Sequence, residues 1–354
     1  MWSDRRLTEL FGIDHPIVQA PMAGADSPAL AAAVSGAGGL GSLGCAFLSL
    51  RQIEQAVADI RSRTGRPFNL NFFCHTAPRA DTTREAAWLE RLAPFYEEMS
   101  IDPPKSLIAP PPFDEERCAL VERLRPAVVS FHFGLPEAEF LDRVRKTGAS
   151  ILSSATTPEE ARWLAARGVD AIVAQGAEAG GHRGVFLRDW RSGSGMIGLF
   201  SLLPQIVDAV DVPVIAAGGI ADGRGLAAAI TLGASGGQIG TAFLFTPEAG
   251  ISDAHRKALL SDRSAETLVT NVMSGRPARG LPNRMTRELG ALANDLPDFP
   301  LPNAAVAPLR TAKRGAPAQF NALWAGQSVA SCREMPASQL IASLAAETWD
   351  RLCD

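Results

Sequence analysis

The chain has 354 residues, of which 46% are hydrophobic and 20% are charged. A chain of this length and composition buries a sizeable core, which excludes a disordered protein and predicts either one large α/β barrel or two ordinary domains. The formal net charge of −4 at pH 7 argues against nucleic acid or an anionic membrane as the main partner.

Cysteine usage indicates the compartment. The five cysteines are scattered and form no C-x-x-C pair, which is typical of a reduced protein without a disulfide framework or a zinc site. The first ten residues, MWSDRRLTEL, are charged and lack the apolar core of a signal peptide. We therefore expect a cytoplasmic protein.

Residues 27–50 contain no charged side chain and are numerous enough for a membrane helix. Five glycines divide this stretch, however, into a helix, a turn and a short strand. We interpret it as a buried helix followed by a buried strand, and we expect no membrane partner.

Eight short apolar runs with β-forming residues recur along the chain, at residues 16–20, 39–44, 68–73, 127–133, 150–155, 170–175, 212–217 and 236–243. Helical patterns separate most of them, at residues 27–37, 49–64, 136–147, 158–167, 200–210 and 222–232. Several helices end at a glycine before the next strand, as in SGAGGL and KTGAS. This alternation predicts an α/β fold with parallel strands, and a (β/α)8 TIM barrel leaves none of them at an edge.

Two regions interrupt the repeat. Residues 75–125 are long for one crossover and contain an amphipathic segment at 82–99, and residues 247–325 contain no βα unit. Long insertions are usually lids or binding loops. We therefore expect a barrel over residues 1–246 with the insertion at about 75–125, a smaller, partly helical second domain at 247–325 over the barrel mouth, and a C-terminal helix in 326–354 packed on the barrel.

Polar residues and glycines cluster after the predicted strands. They occur in QAPMAG, NLNFFCH, SFHFG and QGAEAGGHRG, and again in AAGGIADGRG and GGQIGTAFL. Because barrel enzymes gather their chemistry at the carboxyl ends of the strands, these segments predict one shared site.

Glycine turns after the last two strands predict a phosphate site. Gly218 and Gly219 can adopt positive φ and present backbone N–H groups, and Gly240 with Thr241 adds another N–H and a hydroxyl. Asp222 is the expected N-cap of the following helix. The alternative is that these glycines only close βα turns.

A phosphate with space for a flat ring beside it suggests flavin mononucleotide (FMN). The turn of Ala20, Pro21 and Met22 can present backbone groups along the edge of an isoalloxazine ring. Asn71 and Gln175 are amides with both a donor and an acceptor for the pyrimidine ring or the ribityl chain. For either amide alone, the alternative is a satisfied buried group at a strand end.

Several segments together resemble a known family. QAPMAG, FNLNFF, DAIVAQGAEAGGHRG, PVIAAGGIADGRG, QIGTAFL and LWAGQS resemble the nitronate monooxygenases, formerly called 2-nitropropane dioxygenases, in the branch that needs no nicotinamide. The resemblance covers nearly the whole chain, and EAGGHRG is its most specific part. It implies FMN dependence, a TIM barrel with a smaller second domain, and oxidation of alkyl nitronates such as propionate 3-nitronate with O₂ to carbonyl compounds and nitrite or nitrate.

The resemblance also implies roles for individual residues. His182 would be the catalytic base or a group that orients the substrate over the flavin. Gly180 and Gly181 would let the backbone pass close to the flat cofactor. The other FMN contacts implied in this way are Asn71, Gln175, Gly219, Gln238, Ile239, Gly240 and Thr241.

The expected substrate pocket departs from the family pattern, because the chain has one tyrosine, Tyr96, where relatives often place several. We expect an apolar pocket for a small anionic substrate. The residues expected near this pocket are Met22, Phe72, His132, Phe133 and Trp324. Arg183 either holds its loop, attracts the anion or is a solvated surface charge.

Three histidines at predicted strand ends, His75, His132 and His182, raise the alternative of a metal site. No carboxylate pair or cysteine completes a ligand set, so we expect no metal. His15 and His255 are expected to be peripheral.

Two other functions stay open at this point. One is an FMN-dependent NAD(P)H:quinone or enoyl-thioester reductase of the same fold, and the other is a cofactor-free barrel that binds a phosphorylated metabolite. The expected partners of the leading interpretation are a small nitronate and O₂, and the expected state is a monomer or a homodimer.

Overall fold

A computed structural model describes residues 2–192, 195–261, 266–313 and 317–353 of the chain. The strands within these residues, in chain order, are β1 (Ile17–Gln19), β2 (Gly41–Gly44), β3 (Phe68–Phe73), β4 (Val128–His132), β5 (Ser150–Ala155), β6 (Ala171–Gln175), β7 (Gly181–His182), β8 (Val214–Ala217), β9 (Gly236–Ile239), β10 (Leu268–Thr270) and β11 (Ala278–Gly280).

The α-helices within the same residues surround these strands or lie in the two inserted segments. In chain order they are α1 (Arg6–Phe11), α2 (Pro28–Gly36), α3 (Leu50–Arg63), α4 (Thr82–Met99), α5 (Glu115–Leu124), α6 (Ala138–Lys146), α7 (Pro158–Ala165), α8 (Leu199–Val207), α9 (Gly223–Thr231), α10 (Thr241–Leu244), α11 (Asp253–Leu259), α12 (Arg284–Glu288), α13 (Leu301–Thr311) and α14 (Ala337–Cys353). None of the described helices is long and apolar enough to cross a membrane.

Eight of the strands form one parallel sheet in the order β1-β9-β8-β6-β5-β4-β3-β2. The two ends of this sheet meet, because Leu40 donates its N–H to the carbonyl of Ile17 and accepts from the N–H of Gln19, each at 2.9 Å. The sheet therefore closes on itself with helices between the strands, and the predicted (β/α)8 TIM barrel is confirmed.

Capping residues set where the outer helices begin. The hydroxyl of Ser27 accepts the N–H of Leu30 at the start of α2, and Ser49 forms a capping box with Gln52 at the start of α3. Helix α2 then lies directly against β2, since a Cβ on Gly41 would come within 1.9 Å of the Ala31 carbonyl oxygen. The uncharged stretch 27–50 is thus a helix and a strand of the barrel, as expected.

Apolar side chains fill the barrel at the amino ends of its strands. Leu7 and Phe11 of α1 belong to a buried cluster with Val18, Leu152 and Ile215 from inside the sheet. This packing occupies the lower part of the barrel, so open space is left at the carboxyl ends of the strands.

The insertion at residues 75–125 and the segment at residues 247–325, which together are called the lid, share a second core. Trp88 and Phe95 of α4 pack in one buried cluster with Val306 of α13 and Phe320. The hydroxyl of Tyr96 donates to the carbonyl of Ala305 at 2.6 Å, so the only tyrosine of the chain stabilises this lid core. The division of the chain at residues 246 and 325 stays a prediction.

A small antiparallel sheet links the barrel loop to the lid. β7 follows β6 and pairs with β11, which pairs with β10. This sheet was not predicted, because its strands have only two or three residues each.

One barrel strand is shorter than predicted. The sequence predicts a strand throughout the apolar run 236–243, but β9 ends at Ile239 and residues from Thr241 form the short helix α10. Gly240 has φ of −108° and ψ of −74°, which turns the chain out of the sheet. Helix α14 lies outside the barrel, where Glu347 accepts the N–H of Gly223 at 3.0 Å.

Candidate active site

A cavity of about 750 Å³ lies at the carboxyl ends of the barrel strands, under the lid. This volume falls within the range of small-molecule sites. The predicted site residues that line it are Ala20, Pro21, Met22, Asn71, His132, Gln175, Gly180, Gly181, His182, Gly218, Gly219, Gln238, Gly240, Thr241 and Trp324. The fold therefore brings together side chains that are up to 304 positions apart in sequence, 20 to 324.

Three residues predicted for the site do not line this cavity: Ile239, expected to contact FMN, and Phe72 and Phe133, expected near the substrate. The side chain of Ile239 is buried in the main core, Phe72 packs outward against Phe113 at 5.1 Å, and Phe133 lies behind His182. Strand side chains alternate between faces, so Phe73, the neighbour of Phe72, lines the cavity instead. The placement of Phe72 in the pocket was wrong.

The partly buried carboxylate of Asp26 holds the turn at residues 20–22. Asp26 accepts hydrogen bonds from the N–H groups of Met22 (2.8 Å) and Gly44 (2.7 Å). Burial raises the pKa of Asp26 to about 6, although these hydrogen bonds act in the opposite direction. Sequence reasoning missed Asp26, because its two partners lie in the turn after β1 and at the end of β2.

The two predicted amides differ in how they are bonded. Asn71 donates to the hydroxyl of Ser130 at 2.9 Å, and its side chain lines the cavity with a carbonyl oxygen that accepts no hydrogen bond within the described residues. Gln175 donates to the carbonyl of His182 (2.9 Å) and accepts from the N–H of Gly184 (2.8 Å). Gln175 therefore orients the loop that follows its own strand.

Arg183 also holds this loop. Its side chain is 1% exposed, and its guanidinium donates to the carbonyls of Gln175 (2.8 Å), Gly176 and Gly195 (3.1 Å). Arg183 does not line the cavity. Of the three interpretations, the loop-holding one is supported and the solvated surface charge was wrong.

His182 lies in the cavity wall on β7. Its Nε2 is 2.8 Å from the hydroxyl of Ser274, and its ring lies 5.4 Å from Phe299 and 5.5 Å from Trp324. The Ser274 hydroxyl is also 3.4 Å from the carbonyl of Arg276, so it can accept from Nε2–H while it donates to that carbonyl. In this arrangement Nδ1 is unprotonated, and it has no partner among the described residues.

Electrostatics keep the cavity histidines neutral. Burial, followed by the nearby His132, Arg276 and His75, lowers the pKa of His182 to about 3. Burial also lowers the pKa of His132 to about 3. His132 is 2.7 Å from the Ser154 hydroxyl through Nδ1 and 3.2 Å from the His182 carbonyl through Nε2, so Nε2 carries the proton.

The histidines are not gathered as metal ligands. Within the described part of the chain, no group of three or more His, Cys, Asp or Glu side chains could hold a metal ion. His255 was expected to be peripheral, but it is buried and lines the cavity, so that expectation was wrong. Burial lowers the pKa of His255 to about 4.

Backbone N–H groups are free on one side of the cavity. Gly218 and Gly219 have φ of +115° and +71°, and no described residue accepts a hydrogen bond from their N–H groups or from that of Gly240. Asp222 caps α9 as predicted, with the N–H of Arg224 at 3.0 Å. Because the Asp222 side chain already accepts N–H groups at the start of α9, the donors left for an anion are the N–H groups of Gly218, Gly219 and Gly240.

Gly180 and Gly181 in the His182 loop are required for different structural reasons. A Cβ on Gly180 would lie 2.7 Å from the backbone of Ala325 and Gly326, so this glycine permits close contact with the lid segment. Gly181 has φ of +73°, and a Cβ there would meet nothing within 4 Å.

Several cavity residues were not predicted. The polar ones are Ser130, Ser153, Ser154, Ser252, His255, Ser274, Asn303, Arg310, Asn321 and Ser328. Most come from residues 247–328, where no repeated strand end marks a position for them. The sequence signal for Arg310 is a basic residue in the last turn of the mostly apolar helix α13.

Comparisons with known proteins identify similar chains. The sequence profile of the family described as nitronate monooxygenase matches residues 4–347. A nitronate monooxygenase of Pseudomonas aeruginosa is 45% identical over 97% of this chain and 98% of its own length. The crystal structure of a nitroalkane oxidase from Streptomyces ansochromogenes has a TM-score of 0.89 at 40% identity, over 98% of this chain and 99% of that chain. The structure of FabK from Thermotoga maritima has a TM-score of 0.74 at 27% identity, over 98% and 96%.

Proposed function

The chain belongs to the nitronate monooxygenase family, and from this premise we propose that it is an FMN-dependent monooxygenase. Its substrates would be alkyl nitronates such as propionate 3-nitronate, which it would oxidise with O₂ to carbonyl compounds and nitrite or nitrate. One observation supports this most: the cavity has unpaired backbone N–H groups on one side and a neutral imidazole, His182, on another.

The cavity fits the phosphate of FMN. The N–H groups of Gly218, Gly219 and Gly240 and the hydroxyl of Thr241 are donors in a cavity whose described lining contains no Asp or Glu, which suits an oxyanion. Thr241 accepts the N–H of Gly326 at 2.8 Å, so its hydroxyl proton remains available. Ser328 lines the cavity and donates to the Gly219 carbonyl at 2.6 Å, which fixes that turn.

The ring system of FMN would lie beside the turn at residues 20–22 and the carbonyl oxygen of Asn71. Asp26 holds this turn in place, and Gln175 holds the opposite loop. When bound, FMN supplies the redox chemistry by accepting electrons from the nitronate and passing them to O₂. The protein residues bind and orient both partners and limit the access of water.

His182 would bind and orient the nitronate or act as a base. A nitronate has already lost its α-proton, so its oxidation needs no proton acceptor. A nitroalkane must first be deprotonated, and the unprotonated Nδ1 of His182 could accept that proton. A pKa of about 3 makes His182 a weak base, which favours nitronates over nitroalkanes.

Apolar rings enclose the reacting region. Phe73 and Phe299 lie 6.0 and 5.4 Å from the ring of His182, and Trp324 lies 5.5 Å from it. These side chains stand in place of pocket tyrosines and strengthen electrostatic interactions by excluding water. We further propose a cytoplasmic location, which the five free cysteines support. The proposed state is a monomer or a homodimer.

The experiment is a comparison of two assays on the purified protein. The bound chromophore is released by denaturation and identified by mass, and O₂ uptake is measured with ethyl nitronate and with NADH plus a quinone. We expect FMN, rapid O₂ uptake with the nitronate, and nitrite or nitrate among the products. A protein that oxidises NADH but leaves nitronates unchanged is a reductase, and a colourless protein that binds no FMN contradicts the proposal altogether.

A further inference from the structure

Two neighbouring strands place a pair of polar side chains at the bottom of the cavity. Asn71 of β3 and Ser130 of β4 are paired in register, and both line the cavity. Ser130 lies two residues after Val128, in the buried cluster inside the barrel, and two residues before His132, which lines the cavity. Since strand side chains alternate between faces, Ser130 points into the barrel as well. Asn71 and Ser130 are only 5% and 6% exposed, so the protein determines most of their hydrogen bonds.

The hydroxyl oxygen of Ser130 accepts two hydrogen bonds. Nδ2 of Asn69 and Nδ2 of Asn71 each donate to this oxygen at 2.9 Å. A serine hydroxyl has two acceptor lone pairs and one proton, so both lone pairs of Ser130 are in use. Its proton has no acceptor among the residues that the structure describes. The proton therefore remains available to a molecule in the cavity.

The other contacts of the two amides determine their orientation. Nδ2 of Asn71 also donates to the backbone carbonyl of Ser130 at 3.3 Å, a place where an amide oxygen would be repelled. Nδ2 of Asn69 also donates to the hydroxyl of Ser42 at 3.1 Å, while its Oδ1 is buried without a partner. The opposite orientation of Asn69 would bury its NH₂ group unpaired, and unpaired N–H groups are rarer in proteins than unpaired carbonyl oxygens. Both amides are therefore donors toward Ser130.

Asn71 supplies the complementary group beside this hydroxyl. Its Oδ1 accepts no hydrogen bond within the described part of the chain, and the protein does not enclose it. The bottom of the cavity therefore presents an acceptor, Oδ1 of Asn71, next to a donor, the O–H of Ser130. A ligand edge with an N–H group next to a carbonyl, as in a lactam or an imide, matches both. The pyrimidine ring of a flavin has such an edge, with one N–H group between two carbonyls.

We propose that Ser130 donates its hydroxyl proton to a pyrimidine carbonyl oxygen of the bound flavin, because Asn69 and Asn71 occupy both of its lone pairs. The inference rests on the proposed function and adds a residue that adjusts the reduction potential of FMN. Reduction increases the electron density on the pyrimidine carbonyls, and a hydrogen bond to a more negative oxygen is stronger. Ser130 therefore stabilises reduced FMN more than oxidised FMN, which favours electron transfer from the substrate.

The test measures FMN affinity and midpoint potential in Ser130→Ala. This variant keeps one hydrogen-bond partner for each of the two amides, so it should fold. The Kd of the apo-protein for FMN, from equilibrium dialysis, should rise by about 2- to 12-fold, the effect of one neutral hydrogen bond. Reduced FMN should lose about tenfold more affinity than oxidised FMN, which lowers the midpoint potential of the two-electron couple by about 30 mV. Ser130→Thr keeps the hydroxyl and should retain most of the affinity and of the potential.

The matched control is Ser35→Ala. Ser35 is also buried, but its hydroxyl donates to the Pro67 carbonyl at 2.8 Å and it does not line the cavity, so FMN affinity and potential should not change. FMN analogues with sulfur in place of one pyrimidine oxygen locate the contact, because sulfur is a weak acceptor. The loss caused by Ser130→Ala should largely disappear with either 2-thio-FMN or 4-thio-FMN and persist with the other. If Ser130→Ala does not fold, Ser130→Cys, whose thiol is a weak donor, should show the same losses.

The outcomes separate this inference from the function itself. Unchanged FMN affinity and midpoint potential in Ser130→Ala would overturn the inference while the proposed function stands. Equal losses with FMN and with both thio analogues would also overturn it, because a general distortion of the site would then be the cause. A wild-type protein that binds no FMN would contradict the proposed function.

Discussion

At the scale of single residues, the main property of His182 is that its imidazole carries no charge. Burial and the nearby His132, Arg276 and His75 lower its pKa to about 3, so its imidazole is neutral at any pH at which the protein would work. Ser274 binds Nε2, and Nδ1 remains as a possible proton acceptor. The residue can therefore accept a proton or a hydrogen bond, but it cannot supply a positive charge before an anion binds.

Replacing His182 with Asn keeps a polar group of similar size but removes the proton acceptor. If His182 is the base, activity on a neutral nitroalkane should fall by about 10²–10⁴, the usual range for general-base catalysis. Nitronate oxidation should fall much less, and FMN should stay bound. Both ionic forms of one nitro compound are assayed with each protein, together with flavin content. Equal losses on the two forms would show that His182 orients the substrate and removes no proton.

The raised pKa of Asp26 predicts how the free energy of unfolding depends on pH. Its folded-state pKa of about 6 lies above the value of 3.8 for the free side chain, so the folded protein binds the proton more tightly. The free energy of unfolding therefore decreases by about 1.4 kcal/mol per pH unit between about pH 4 and pH 6, and stays lower above that range. The oxygen of an asparagine can accept the same two N–H groups without the charge.

The stability of Asp26→Asn relative to wild type should therefore increase by up to about 2–3 kcal/mol from about pH 4 to pH 7. Urea unfolding at several pH values measures this difference, and groups that titrate alike in both proteins cancel. Asp102→Asn, at an exposed position, is the control and should show no such trend. A difference that is independent of pH would mean that Asp26 is not held above its usual pKa.

At the scale of elements, two side chains hold the loop between β6 and β7. Arg183 donates to three backbone carbonyls, and Gln175 fixes the same loop from the strand. Arg183→Met would leave these carbonyls buried without donors. We expect a loss of about 2–4 kcal/mol in the free energy of unfolding. Arg188→Met, which removes an exposed ion pair with Glu159, is the matched control. Losses of equal size in the two variants would refute the loop-holding role.

The phosphate loops allow a test without backbone strain. Gly219 has φ of +71°, so any side chain there would distort the turn as well as fill it. Gly240 has φ of −108°, and an added Cβ would lie 3.5 Å from the Cβ of Ala20 and 3.7 Å from the sulfur of Met22, which are ordinary contacts. Gly240→Ala should therefore fold normally and place a methyl group in the cavity wall, next to the free N–H of residue 240 itself.

We expect the Kd for FMN of Gly240→Ala to rise by about 5- to 150-fold, the effect of about 1–3 kcal/mol of overpacking. Equilibrium dialysis of the apo-protein with FMN measures it. The control is Gly65→Ala, because an added Cβ at that exposed position meets nothing within 4 Å. Unchanged FMN affinity in Gly240→Ala would place the phosphate elsewhere.

At the scale of the whole molecule, the barrel was predictable because its signals are local and repeated. A typical strand–helix unit has its own apolar run, N-cap and terminal glycine. Ser49 and Asp222 are such N-caps, at the starts of α3 and α9. The rule that barrel sites form at the carboxyl ends of strands then placed Asn71, Gln175 and His182 at one cavity.

The lid residues could not be placed in this way. Arg310 and His255 reach the cavity through packing between segments that are far apart in sequence, such as the shared core of α4 and α13. No period in the sequence encodes that packing. The burial of Arg183 was missed for a related reason, because its carbonyl partners come together only in the folded loop.

The central claim is that nitronates, and not nicotinamides, give electrons to a flavin in this cavity. The direct measurement is the visible absorption of the purified holoenzyme in the absence of O₂, followed after addition of ethyl nitronate or NADH. We predict that the nitronate abolishes the oxidised-flavin band within the dead time of manual mixing, that NADH leaves it unchanged, and that O₂ restores it. Rapid loss of the band with NADH, together with no response to the nitronate, would contradict the account.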